Sequence, residues 1–176
     1  MKRLIGTEAL VLRKRNLMNT DVMLTFLTKD LGKLTVIGKG IKKLTSRRAA
    51  HTQTGNLVTI HLYSKGEMHY LQDTNIISAF SQIKKDQEKV NYLYQFLFIL
   101  DRILPEQQPE PRIYSTAVAF LIYESKTAVV SPAKYAGYLQ EVIHILGYGS
   151  RENSLPEMYR NIEEIINEKI PEHVII

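Results

Sequence analysis

The apolar residues of this chain change their spacing once. Up to about Phe80 they tend to recur every second position, and from Val90 onward they recur at helical intervals. Five runs in the first part, 7–15, 21–28, 33–39, 56–63 and 67–76, are rich in Val, Ile, Leu, Thr and Tyr and are separated by Asn, Gly, Asp or Ser. Val58, Ile60 and Leu62 share one face of the fourth run, and Ser64-Lys65-Gly66 then turns the chain into the fifth. In the third run Leu34 and Val36 share one face, and Lys33, Thr35, Ile37 and Lys39 share the other. Lys33 and Lys39 are therefore expected on one side, as are Arg13 and Arg15 in the first run. Five short strands with no helical pattern between them favour a small closed barrel over a parallel sheet.

The second part is helical. Val90, Leu93, Tyr94, Leu97, Leu100 and Leu104 form a stripe that Pro105 ends, and 106–111 is a polar connector. A second helix is expected over 112–126, with Ile113, Ala117, Phe120, Leu121 and Glu124 along a face. Ser131-Pro132 supplies an N-cap and a proline at the first helical position; Tyr135, Leu139, Val142, Ile143 and Leu146 follow, and Gly147 or Gly149 stops the helix. Ser154 to Glu157 is a capping-box pattern that opens a last helix, with Met158, Ile162, Ile165 and Ile166 and an end near Pro171. The expected class is α+β: a five-stranded β-barrel over 1–80, then a helical domain over 81–176. The apolar residues 92–100 are too few for a membrane span. They mark a helix expected to be central to its bundle and packed on the barrel, with a groove for a partner's apolar tail as the alternative. The apolar tail Val174-Ile175-Ile176 is expected to dock on the same body or to fray.

Charge divides at the same place. Residues 1–80 hold 13 Lys and Arg against five Asp and Glu, and residues 81–176 hold ten against 13, within a formal net charge of +5. Such asymmetry suggests a basic binding half and a near-neutral scaffold. Segment 32–50, GKLTVIGKGIKKLTSRRAA, has six basic residues and no acidic one. Like charges repel, so a one-sign cluster on a strand and its following loop points to a polyanion partner. The candidate phosphate ligands are Lys33, Lys39, Lys42, Lys43, Arg47 and Arg48, with Arg13 and Arg15 next. Cysteine is absent, which excludes disulfides, zinc–thiolate sites and a cysteine nucleophile. The basic start Met1-Lys2-Arg3 is followed by only a short apolar run that Glu8 interrupts, unlike a signal peptide. A soluble cytoplasmic protein is expected.

The ordered series of features carries a family resemblance. It runs through Glu8-Ala9-Leu10-Val11-Leu12, Asn19-Thr20-Asp21-Val22-Met23-Leu24-Thr25-Phe26-Leu27-Thr28, Gly32-Lys33-Leu34, Gly38-Lys39-Gly40-Ile41-Lys42-Lys43 and Ser46-Arg47, then the 57–63 strand, Tyr70-Leu71 and 76–80. Leu104-Pro105-Glu106, Pro109, Tyr138-Leu139 and Leu146-Gly147-Tyr148 continue it more weakly. This series resembles the RecO family of DNA repair and recombination-mediator proteins. The resemblance implies an N-terminal OB-fold and a C-terminal helical domain. It implies binding of single- and double-stranded DNA without sequence specificity and annealing of complementary strands. With RecR it implies help in loading RecA onto strands covered by single-strand binding protein (SSB). The implied partners are DNA, RecR, the C-terminal tail of SSB and, indirectly, RecA, in the cytoplasm at the nucleoid. Many relatives carry a four-cysteine zinc site after the Leu-Gly-Tyr motif. Without cysteine, no metal and no other cofactor is carried over to this chain. The chain is also expected to be short at its C-terminus, by a helix or two of the domain that meets the SSB tail.

Other constellations are weaker. Tyr63 and Tyr70 flank the 64–66 turn and are candidates for stacking on bases, with packing against the helical domain as the plainer alternative. Phe26 and Phe80 are expected in the core. His61 and His69 lack a third ligand at a recognisable spacing. No nucleotide-binding glycine loop, nucleophile elbow or acid–base pair stands out, and Asp21 is expected to serve as a turn acceptor. A non-enzymatic DNA-binding protein is therefore the leading reading. An RNA-binding OB module and a protein-interaction adaptor remain open, because charge alone does not tell these polyanions apart.

Overall fold

The computed structural model describes residues 4–149 and 154–172. The chain divides into two compact units, Met1–Ala79 with Leu104–Pro111, and Phe80–Ile103 with Arg112–Ile176. The polar connector 106–111, expected between the first two helices of the helical domain, thus belongs to the first unit.

That unit is built on β1 (Leu4–Asn16), β2 (Val22–Thr28), β3 (Gly32–Gly38), a single-turn helix α1 (Arg48–His51), β4 (Leu57–Lys65) and β5 (Met68–Ser78). The strands form a closed barrel in the order β1-β2-β3-β5-β4, with β1 returning to β4. Every pairing is antiparallel except β3 with β5. This five-stranded closed barrel is of the OB type. β1 serves two neighbours. Its first half, from Leu4 to Leu10, pairs with β4, and from Ala9 to Asn16 it pairs with β2. A register shift between Val11 and Arg13 bends it, as a bulge does.

Alternation fills the interior. Val22, Leu24 and Phe26 of β2, Leu34 and Val36 of β3, Val58, Ile60 and Leu62 of β4, and Leu71 of β5 meet in one buried cluster with Ala9 and Val11. Ile41, from the loop after β3, joins that cluster and is fully buried. The outer face of the same strands has a covered end and an open end. At the covered end Leu10, Leu27 and Lys33 lie in one cross-strand row and are all buried. Connector residues lie against β3 here. The Gln107 amide donates to the Lys33 carbonyl at 2.8 Å, and the Thr35 hydroxyl donates to Glu106 Oε1 at 3.1 Å. Gly32, at φ 73°, passes so close under Gln108 that a side chain there would collide with the connector backbone.

The second unit holds a 3-10 turn (Ile83–Lys85) and helices α2 (Gln87–Ile103), α3 (Pro111–Lys126), α4 (Pro132–Ile145) and α5 (Leu155–Ile166). Pro111, the first residue of α3, falls in the barrel unit. An aromatic cluster centres the helical unit: Phe96 lies 4.4 Å from Phe120, ring centre to ring centre, and Tyr135 lies 5.5 Å from Phe120 and 4.7 Å from Tyr92. The Ser131 and Ser154 hydroxyls cap α4 and α5 by accepting the Lys134 and Glu157 amides. Past α4, the Gly147 amide donates to the His144 carbonyl and the Tyr148 amide to Ile143, the paired bonds of a Schellman ending with Gly147 at φ 81°. α5 stops at Asn167, in the left-handed region at φ 52°, and so ends before the proline expected to end it. Residues 174–176, the apolar tail, lie outside the described residues. No described helix is long and apolar enough to cross a membrane.

Candidate nucleic-acid interface

The open end of the barrel is built by the ends of β1 and β3 and by the loops that leave them. Across the outer face, register aligns Arg15 with Met23, Met23 with Ile37, Ile37 with Tyr70, and Tyr70 with Tyr63. Directly paired residues face the same side of a sheet, so these five form one strip. Arg15 reaches back to Met23, its Nη2 3.3 Å from Sδ. Arg13 heads the next row and is exposed, as is Arg15. Lys14, between them, turns to the other face, where burial lowers its pKa. Two residues beyond Ile37, the Lys39 ammonium stands over the Tyr70 ring at 4.9 Å from its centre.

The loop after β3 carries the rest of the cluster. Its base is anchored three ways: Ile41 is sunk in the barrel core, the Gly40 amide donates to Asp21 Oδ1 at 2.8 Å, and the Lys42 amide donates to the Thr20 carbonyl at 2.9 Å. Asp21 is thus the turn acceptor, and Asn19 in turn accepts the Asp21 amide at 2.9 Å. Because Ile41 points inward, Lys39, Lys42, Lys43 and Arg47 are left exposed around the anchor. An open groove of ≈ 640 Å³ lies here, with Lys39, Lys43, Arg47 and Arg48 in its wall, and Asp21 and Asp73 as its acidic members. Among the described residues no carboxylate forms an ion pair with Lys39, Lys42, Lys43 or Arg47. The positive potential is therefore concentrated and open to solvent.

Three expectations change. Lys33 alternates outward as the sequence indicates, but it falls at the covered end, and at 8% exposure it is not open to a phosphate as Lys39 is. Arg48 lines the groove, yet its guanidinium is committed to main-chain carbonyls: Nη1 donates to Leu71 at 3.0 Å and Nη2 to Lys39 at 2.8 Å. It ties α1 to β5 and to the end of β3, so it holds the groove rather than facing a ligand. Tyr63 and Tyr70 stack on each other, 5.2 Å apart with 14° between their planes. Each offers part of its face to the other, a partner that neither base stacking nor packing on the helical domain anticipates. The histidines are not a pair either. His69 Nδ1 lies 2.9 Å from the Ser64 hydroxyl, whereas His61 pairs with Asp73 in register and lies against Gly6. No group of three or more His, Cys, Asp or Glu able to hold a metal occurs among the described residues.

The family-model match falls on the same half of the chain, and the matches to curated relatives are longer than that half. Residues 1–80 match the family model described as "Recombination protein O N terminal". The first 80 residues are thus similar to the N-terminal part of the RecO family. Among curated relatives, the DNA repair protein RecO of Symbiobacterium thermophilum is 28% identical over 63% of this chain and 44% of its own length. That of Heliobacterium modesticaldum is 32% identical over 59% of this chain and 38% of its own length. The RecO of a Thermoanaerobacter species is 27% identical over 86% of this chain and 65% of its own. The chain therefore spans less than two thirds of the length of these relatives.

Proposed function

We propose that this chain works in DNA repair and homologous recombination as a non-enzymatic protein that grips DNA by its backbone and anneals complementary strands. The supporting observation is the open end of the barrel, where Lys39, Lys42, Lys43 and Arg47 stand exposed and unneutralised, with Arg13 and Arg15 on the adjoining strand. The names of the relatives, each a DNA repair protein, point the same way. A phosphate chain meets a concentrated positive surface without any base-reading geometry, so both single and double strands are held without regard to sequence. Holding two strands while screening their mutual repulsion is what annealing requires. Within that role RecR is the expected partner in passing RecA onto strands covered by SSB, with the SSB tail meeting the helical unit. This work belongs in the cytoplasm, at the nucleoid.

Titration of labelled single-stranded DNA, duplex DNA and RNA at several salt concentrations tests the proposal. With about five basic side chains engaged, the log–log slope against salt for single strands is roughly −3.5. Changing Lys39, Lys42 and Lys43 together to Glu removes most of the affinity and leaves the thermal transition nearly in place, because all three are exposed and the hydrogen bond lost, from Lys42 Nζ to the Leu17 carbonyl, lies at the surface. A preference for structured RNA would favour an RNA-binding role. No affinity for any nucleic acid at low salt would leave the adaptor reading.

A further inference from the structure

Two apolar side chains stand wholly in solvent among the described residues: Met18 at 107% and Leu44 at 106% of a reference exposure. The next most exposed large apolar side chain, Val129, is at 68% and belongs to the helical unit. Single exposed apolar residues are ordinary on a surface. These two are set apart by where they sit. Met18 lies in the turn between β1 and β2, and Leu44 in the loop after β3, directly after Lys43 and three residues before Arg47. The two loops are bonded to each other. The Lys42 amide donates to the Thr20 carbonyl, Lys42 Nζ donates to the Leu17 carbonyl at 2.6 Å, and the Gly40 amide donates to the Asp21 carboxylate. The bases of both loops are therefore held, and their tips project beside the cationic groove.

Nothing within the fold is gained by an apolar tip there, since neither side chain loses water contact on folding. What the neighbouring charges attract is a polyanion. A polyanion that alternates a phosphate with an apolar surface at the spacing of one residue is a nucleic-acid strand with its bases unpaired. Leu and Met are among the side chains that proteins press against or between bases. We propose that Met18 and Leu44 contact unpaired bases while the lysines and arginines around them hold the backbone. The barrel would then favour single strands and opened duplex ends through apolar contact rather than through hydrogen bonding to base edges. This inference rests on the DNA-binding reading and adds a base-dependent part to it.

The test compares single-stranded oligothymidylate with an oligonucleotide of the same length and charge in which the sites are abasic. The full chain should bind the base-bearing strand about tenfold more tightly than the abasic one. In Met18→Ser/Leu44→Ser that preference should fall toward one, while affinity for the abasic strand and the salt slope stay as they were. Met18→Leu/Leu44→Met should restore it, since the tips need apolar surface and not a particular shape. In Lys39→Glu/Lys42→Glu/Lys43→Glu both strands should weaken together. An unchanged base preference in the serine variant would overturn the inference and leave the charged grip standing. So would equal binding of the two strands by the parent chain. If the serine variant kept its base preference but lost association with RecR, the tips would serve a protein surface, again against the inference. Failure of the parent chain to bind either strand at low salt would remove the DNA-binding reading itself and this inference with it.

Discussion

Glu124 is wholly buried in the helical unit, and neither of its carboxyl oxygens has a hydrogen-bond partner there. Lys89, the nearest relief, gives its ammonium to the Thr127 carbonyl at 2.6 Å instead. Burial pushes the Glu124 pKa up from 4.5 to about 8, with Lys89 pulling it down and Asp86 adding to the rise. The folded chain therefore holds a proton that the unfolded chain releases. Below about pH 4.5 both states are protonated and this term is constant. Between about 4.5 and 8 the unfolded state ionises first, and stability falls as pH rises, by at most about 1.4 kcal/mol per pH unit. Tyr92 and Tyr135, which sense the same carboxyl, have pKa values raised above 10 and stay neutral through that window. Urea unfolding from pH 5 to pH 9 should show this decline, and Glu124→Gln should flatten it. A slope unaltered in the variant would assign the decline to another group. Sequence placed Glu124 on a helical face with Phe120 and Leu121, but not its isolation. Isolation depends on which side chains α2 brings against it. Lys33 and Arg48 make the same point at the barrel, since their surroundings come from residues far along the chain, Glu106 and Gln107 for one and Leu71 for the other.

The strands and helices were legible because each carries its own period and its own punctuation. Val58-Ile60-Leu62 alternates and is buried accordingly, and Ser131 and Ser154 cap the helices they precede. Two glycines of the α4 region make opposite predictions. Gly137 is exposed inside the helix with open space where a side chain would go, so Gly137→Ala should stabilise the helical unit by roughly 0.5–1 kcal/mol. Gly147 also faces open space, but its φ of 81° is a conformation that a Cβ penalises, so Gly147→Ala should cost roughly 1–2 kcal/mol. Thermal melts of the two variants check both signs at once. α1 was not legible. Its four residues have no apolar stripe, and what fixes it is the Arg48 guanidinium on β5 together with His51 Nδ1, 3.0 Å from the Thr74 carbonyl. The early end of α5 had a weak signal, an Asn that tolerates left-handed backbone, overshadowed by the more familiar proline four residues later.

For the chain taken entire, charge is a matter of position and not of sum. The surplus of eight basic residues lies in 1–80, while 81–176 is slightly acidic. If affinity followed net charge, three lysines anywhere would serve equally. The open groove predicts otherwise. Lys126→Glu/Lys134→Glu, two exposed sites of the helical unit, should leave DNA affinity within about twofold at 0.15 M salt, where the Debye length is about 8 Å. Lys39→Glu/Lys43→Glu, an equal change of charge in the groove wall, should lower it by more than about tenfold. Equal losses from the two pairs, read by fluorescence anisotropy, would mean a diffuse electrostatic attraction with no site.

By itself the sequence determined two things: that a barrel-forming half precedes a helical half, and that the positive charge gathers on the loop after β3. Both are local properties, set by the spacing of apolar residues and by the run of like charges along the chain. Tertiary structure alone decided which of those charges remain available. The connector covers Lys33, two distant carbonyls occupy Arg48, and the tyrosines take each other's faces. The pairing of β2 with β3, which sets Val22 beside Gly38, brings the turn holding Met18 against the loop holding Leu44. No spacing along the chain encodes these meetings, because they join residues that only the folded path of the backbone makes neighbours.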